Sequence, residues 1–286
     1  MSTFNHFKQK YPLQTMKIYG EQFPYRYYKN VNSSKTIVLL TGGLGLSDLL
    51  LLHFEEFAKS YSVVSFDYPM AYSTNQKLVD AIATLLRSLE VKAFLVGQSL
   101  GGFLAQLLAQ QHPDVVEGLI LSNTGTLSTD MDALGSQCLL DMIKRIDKSL
   151  FMIKLLPFSL IKKKIKKGVM EKVKHQLNDQ EQAVMLEICD EMEHTLTKNY
   201  ELHMSSLLKD LQNHWNMGKN DFEQYRDKVL LILSDDDLTF NDNVKHALIS
   251  MMPNPKVITD IRGGHLALLL KIDRYIQEIK GFIDRL

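Results

Sequence analysis

Val91-Lys92-Ala93-Phe94-Leu95-Val96-Gly97-Gln98-Ser99-Leu100-Gly101-Gly102 is the stretch whose reading decides the fold. A short apolar run, 91–96, ends in glycine, and a helical pattern, 100–111, begins directly after the serine. A serine held in so sharp a strand-to-helix turn needs small neighbours two residues away, because strand and helix pass too close there for a side chain. The turn lifts the hydroxyl clear of the sheet, and the positive end of the helix favours a developing oxyanion. Ser99 is the candidate nucleophile. The competing reading is a Gly-Ser-Gly turn with a purely structural role.

Around this stretch, apolar runs recur with helical patterns between them. Residues 36–40, 62–66, 91–96 and 116–121 are short and rich in Val, Ile, Leu or Phe, as strands buried on both faces are. Residues 46–60, 75–90 and 100–111 are long enough for crossover helices, and 16–19 and 25–28 are strand-like pieces near the N-terminus. This alternation predicts an α/β fold, a doubly wound, mostly parallel sheet. It breaks near residue 128 and returns with runs at 229–233 and 256–261. The expected division is a core of 1–127 and 227–286 and an all-helical cap insertion of 128–226.

A serine nucleophile needs a base, and the base needs an orienting acid. Arg262-Gly263-Gly264-His265 follows the last strand-like run, so His265 is the candidate base at the carboxyl end of a sheet. The preceding run leads into Ser234-Asp235-Asp236-Asp237, three successive carboxylates that repel one another unless something compensates them. Asp236 and Asp237 are both candidates for the acid. The oxyanion hole needs two backbone N–H donors. Leu100, directly after the nucleophile, is one; the glycine-rich loop Thr41-Gly42-Gly43-Leu44-Gly45 supplies the other, assigned to Gly43. Phosphate binding is a poor fit to that loop, which matches neither G-x-G-x-x-G nor a P-loop with its lysine.

The ordered set Thr41-Gly42-Gly43, Asp67-Tyr68-Pro69, Gly97-Gln98-Ser99-Leu100-Gly101-Gly102, Ser234-Asp235-Asp236-Asp237 and Gly263-Gly264-His265 resembles the α/β-hydrolase superfamily along nearly the whole chain. The resemblance implies the chain order serine, acid, histidine, and it selects Asp237, three residues past the small Ser234, as the acid. It further implies hydrolysis of an ester, thioester or related acyl compound through an acyl-enzyme. Serine at 99 separates the chain from the dehalogenase and epoxide-hydrolase branches, which use aspartate there. Two departures bear on substrate: Thr41 stands where a histidine is common, and Asp67-Tyr68-Pro69-Met70 lacks the usual glycine turn. Ser99 to Gln106, with Tyr68-Pro69, also resembles maspardin-like members, which implies a non-catalytic binding protein as an alternative. A proline-iminopeptidase-like aminopeptidase is another, with Glu191 or Glu193 holding a substrate amine.

Composition narrows the partners. Basic and acidic residues balance at 33 each, so no global field favours nucleic acid. Two cysteines, Cys138 and Cys189, make no disulfide framework, residues 1–14 lack a signal-peptide core, and the leucine run 49–52 is too short to cross a bilayer. A cytoplasmic protein acting on a small-molecule acyl substrate is expected, without stable membrane insertion. No cofactor is implied, and His194, His203 and His214 lack metal-site spacing. Residues 162–174 form an amphipathic basic pattern, with Ile161, Ile165, Val169 and Val173 at four-residue spacing. Packing of that stripe with solvated lysines is the first expectation, weak membrane-surface contact the second. The apolar segment 150–160 is a candidate lining of the acyl pocket.

Overall fold

The computed structural model describes residues 3–174 and 177–286. Lys172 and Val173, part of the expected basic stripe, lie outside the described side chains.

In chain order the elements are α1 (Thr3–Lys10), β1 (Gln14–Ile18), β2 (Glu21–Tyr28), β3 (Thr36–Leu40), α2 (Leu51–Ala58), β4 (Ser62–Ser65), α3 (Asn75–Ser88), β5 (Ala93–Gln98), α4 (Leu100–Gln111) and β6 (Val116–Ser122). Four helices follow: α5 (Ala133–Leu155), α6 (Phe158–Val173), α7 (Asp179–Thr195) and α8 (Lys198–Asp210). The sheet resumes with β7 (Val229–Ile232), α9 (Asp242–Met251), β8 (Lys256–Ile258), α10 (Ala267–Leu270) and α11 (Ile272–Ile283). One eight-stranded sheet runs β1-β2-β4-β3-β5-β6-β7-β8. The pairs β1·β2 and β2·β4 are antiparallel, and every later pair is parallel. This is the α/β-hydrolase fold, with a helical stretch inserted between β6 and β7.

Both faces of the sheet are covered, which explains the continuous apolar runs. Val38 and Leu40 of β3 and Leu95 of β5 join a core with α3, α4 and α9. Their neighbours Ile37, Leu39 and Val96 join a second core with α1, α2 and α11. Period-two alternation within one strand thus serves two cores.

Several boundaries differ from the sequence reading. Residues 46–60 are not one helix: a 3-10 turn, Ser47–Leu50, precedes α2. The cause is Asp67, whose Oδ1 accepts from the Ser47 N–H at 2.7 Å and its hydroxyl at 2.8 Å. The run 91–96 becomes a strand only at Ala93, because the Val91 N–H closes the end of α3 on the Leu86 carbonyl. The last run stops at Ile258 rather than 261, although Ile261 is still buried. Helix α1 was not anticipated; Phe4, Phe7 and Tyr11 bury one face of it, and Phe7 and Tyr11 lie against Phe54 of α2. The apolar segment 150–160, expected to line the acyl pocket, is mostly turned outward: apart from Ile153, its large apolar side chains are exposed or half-buried.

Candidate active site

Strand order reverses between β3 and β5, since the chain leaves β3 for β4 on one side and continues from β5 to β6 on the other. Loops leaving the carboxyl ends of two such strands open a crevice. Here those loops are Thr41–Leu46 after β3 and the Ser99 turn after β5.

Ser99 has φ +53° and ψ −116°, a region that L residues occupy only under strain. The glycines beside it make this possible. A Cβ at Gly97 would stand 2.4 Å from the Gly101 carbonyl oxygen, and one at Gly101 would stand 2.1 Å from the Leu40 carbonyl oxygen. Strand and helix therefore touch backbone to backbone. The Ser99 side chain does not cap α4, which leaves its hydroxyl for other partners.

That hydroxyl lies 2.9 Å from His265 Nε2, and His265 Nδ1 lies 3.0 Å from Asp237 Oδ2. The structure thus brings together the three residues singled out from sequence, across separations of 166 and 28 residues. Burial opposes ionisation of Asp237, but the His265 ring and the Thr239 amide outweigh it and hold the carboxyl below its ordinary range. An ionised Asp237 accepting from Nδ1–H leaves Nε2 as the acceptor for the serine proton.

The three carboxylates are compensated one by one. Asp235 pairs with Arg262 at 3.2 Å, Asp236 accepts from the Gly263 and Gly264 amides, the latter at 2.9 Å, and Asp237 takes His265. The two loops run side by side in the same direction, residues 235–237 against 262–265, and hold each other in register. Asp236, the other candidate acid, is a tether for the histidine loop.

Sequence reasoning missed several supports. Asn123 ends β6 with φ +39°; its amide donates to the Gly264 carbonyl at 2.8 Å and its oxygen accepts from the Ser234 N–H at 2.8 Å. It binds the acid loop to the histidine loop. Gln98 donates to the His265 carbonyl at 3.0 Å while its other amide atom fills the space over Gly42. Phe240 lies against the His265 ring, centroids 5.7 Å apart. The position of Asn123 at a strand end was the only sequence signal.

The loop after β3 is also held. Gly45 N–H bonds to the Gly42 carbonyl at 2.9 Å, so Gly43 sits within a closed turn. Tyr68 donates its hydroxyl to the Thr41 carbonyl at 2.7 Å, and Tyr200 of α8 donates to the Gly45 carbonyl at 2.7 Å. Gly42 lies against Ser99, whereas Gly43 faces Leu208 of α8. Leu100 is the first residue of α4, where N–H groups lack intrahelical acceptors.

Glu191 is paired with Lys8 at 3.0 Å and Glu193 with Lys166 at 3.4 Å, so neither carboxylate stands free for a substrate amine. Glu191 lines a cavity of about 490 Å³ with Arg26, Asp67 and Tyr200, but neither Ser99 nor His265 lines it.

Residues 35–146 match the family model described as alpha/beta hydrolase fold. No curated protein sequence matches the chain. Among solved structures, the chain is similar to a hydrolase from Pseudomonas aeruginosa PA01 (TM-score 0.70, 16% identity, 95% of this chain and 98% of that one covered). It is similar to MenH from S. aureus (TM-score 0.69, 18% identity, 91% and 98% covered). It is also similar to Est816, an N-acyl homoserine lactone degrading enzyme (TM-score 0.61, 18% identity, 94% and 100% covered). At these identities the likeness is one of fold.

Proposed function

We propose that this α/β-hydrolase-fold protein is a serine hydrolase that cleaves a carboxylic ester, thioester or related acyl compound through an acyl-enzyme. The observation that carries the reading is the continuous line from Ser99 Oγ to His265 Nε2 and from Nδ1 to Asp237, at 2.9 and 3.0 Å, around a strained serine.

His265 Nε2 takes the Ser99 proton as Oγ attacks the acyl carbon, and the Gly43 and Leu100 amides receive the oxyanion. Asp237 keeps the imidazole in the useful tautomer and stabilises it once protonated. The imidazolium then gives its proton to the leaving group, and the neutral ring activates water for deacylation. Losing one oxyanion donor typically costs about 3–4 kcal/mol of transition-state stabilisation. Residues 128–226 act as a cap that shapes the acyl pocket, with α8 closest to the oxyanion loop. Est816, similar in fold, is an N-acyl homoserine lactone degrading enzyme, a precedent for an acyl compound as substrate on this fold.

A fluorophosphonate probe tests the reading. Wild-type protein is expected to label covalently, and Ser99→Ala to lose both labelling and ester turnover, the latter by several orders of magnitude. Labelling that persists in Ser99→Ala rejects the nucleophile. Folded wild-type protein that never labels supports the maspardin-like binding alternative, and faster turnover of aminoacyl amides than of short acyl esters supports the aminopeptidase.

A further inference from the structure

The hairpin joining α5 to α6 carries large apolar side chains on the outside of the molecule. Phe151 is 62% exposed, Leu155 64% and Leu160 55%, with Met152 and Leu156 exposed beside them. Isolated exposed leucines are ordinary, but a run of this kind marks a surface that something covers. Every charged residue from 148 to 168 is a lysine.

The two faces of α6 divide the lysines by role. Towards α7, Ile161, Ile165 and Val169 are half-buried, Lys162 bonds to the Glu193 carbonyl, and Lys166 pairs with Asp190 and Glu193. On the outer face, Leu160, Lys163, Lys164 and Lys167 follow one another at helical spacing and are exposed. Lys163 and Lys164 form no ion pair among the described residues. At about 1.5 Å per residue they stand about 4.5–6 Å along the axis from Leu160. An apolar tip followed at that depth by cations matches the step from acyl chains to phosphates in a bilayer.

We infer that the α5–α6 hairpin docks this protein peripherally on an anionic phospholipid surface. Phe151, Leu155 and Leu160 enter the acyl boundary, and Lys163 and Lys164 meet the lipid phosphates. Charge selects this occupant over a second copy, because Lys163 and Lys164 have no carboxylate partner among the described residues and two copies of this face would set them against each other, Glu171 being engaged with Lys167 a turn further on. The apolar tip selects it over nucleic acid, which offers phosphates but no apolar layer.

Co-sedimentation with vesicles of phosphatidylcholine, with and without phosphatidylglycerol, tests the inference at low and high salt. The full chain is expected to bind the phosphatidylglycerol vesicles, less at high salt. Partitioning falls about tenfold or more in Lys163→Gln/Lys164→Gln, and similarly in Phe151→Ser/Leu155→Ser. Thermal melting of both variants stays at the wild-type midpoint, since the altered side chains are exposed. Absence of binding, equal binding to phosphatidylcholine alone, or unchanged binding by the variants overturns it. Self-association without vesicles that either variant abolishes overturns it in favour of a dimer surface. If Phe151→Ser/Leu155→Ser fails to fold, the lysine pair alone decides the outcome.

Discussion

Asp236 and Asp237 are chemically identical neighbours with different partners in the folded protein. Asp237 is buried against the imidazole, whereas Asp236 holds two backbone amides in the loop that presents it. The proposed mechanism therefore gives the two substitutions different signatures. Asp237→Asn keeps the shape but favours the wrong tautomer, so kcat is expected to fall about 10⁴-fold. Asp236→Asn keeps the loop partly tethered and leaves the tautomer alone, so its loss is expected to be about tenfold at most. Steady-state kinetics on one soluble ester compares them. Equal losses would contradict the division of labour.

Among the elements, α8 reaches deepest into the neighbourhood of the oxyanion loop. Tyr200, Met204 and Leu208, spaced four residues apart, form one face of it, and Gly45 and Gly43 lie directly beneath. A Cβ at Gly45 would stand 2.4 Å from the Met204 sulfur, so the helix and the loop are fitted together without slack. The Tyr200 hydroxyl also accepts the Tyr68 N–H at 3.2 Å, tying the inserted helix to the end of β4. In the proposed mechanism Tyr200 is thus a positioning residue for the Gly43 amide. Tyr200→Phe keeps the ring packing and removes both hydrogen bonds of the hydroxyl, so kcat is expected to fall about tenfold with KM nearly unchanged. A rise in KM at constant kcat would show that the tyrosine serves substrate binding instead.

For the molecule as a whole, the most consequential buried titratable group lies away from the triad. His53 of α2 is buried, and burial, only partly offset by the Leu268 backbone, pushes its pKa down to about 4. The folded protein therefore resists protonation that the unfolded chain accepts near pH 6.5. Stability is full above that value and declines as pH falls towards 4, because the unfolded state then binds the extra proton. The expected loss is about 2 kcal/mol between pH 7.5 and pH 5. Urea midpoints at the two pH values measure it, and His53→Leu is expected to flatten the difference. An unchanged slope in that variant would assign the pH dependence to other groups.

The residues themselves determined the sheet and the local chemistry. Strands covered on both faces must be apolar throughout, and a strand-to-helix turn without room for a Cβ must be glycine-rich, so 36–40, 91–102 and the interrupted rhythm at 128 were readable in one dimension. Tertiary structure decided whatever depends on neighbours distant along the chain. It gave Asp236 and Asp237 different partners, gave Asn123, Gln98 and Tyr200 theirs, turned most of the apolar segment 150–160 outward, and folded α1 against α2. Periodicity reports which way a side chain points within its own element. It carries no information about which other element arrives opposite, and hydrogen bonds between loop ends depend on that arrival.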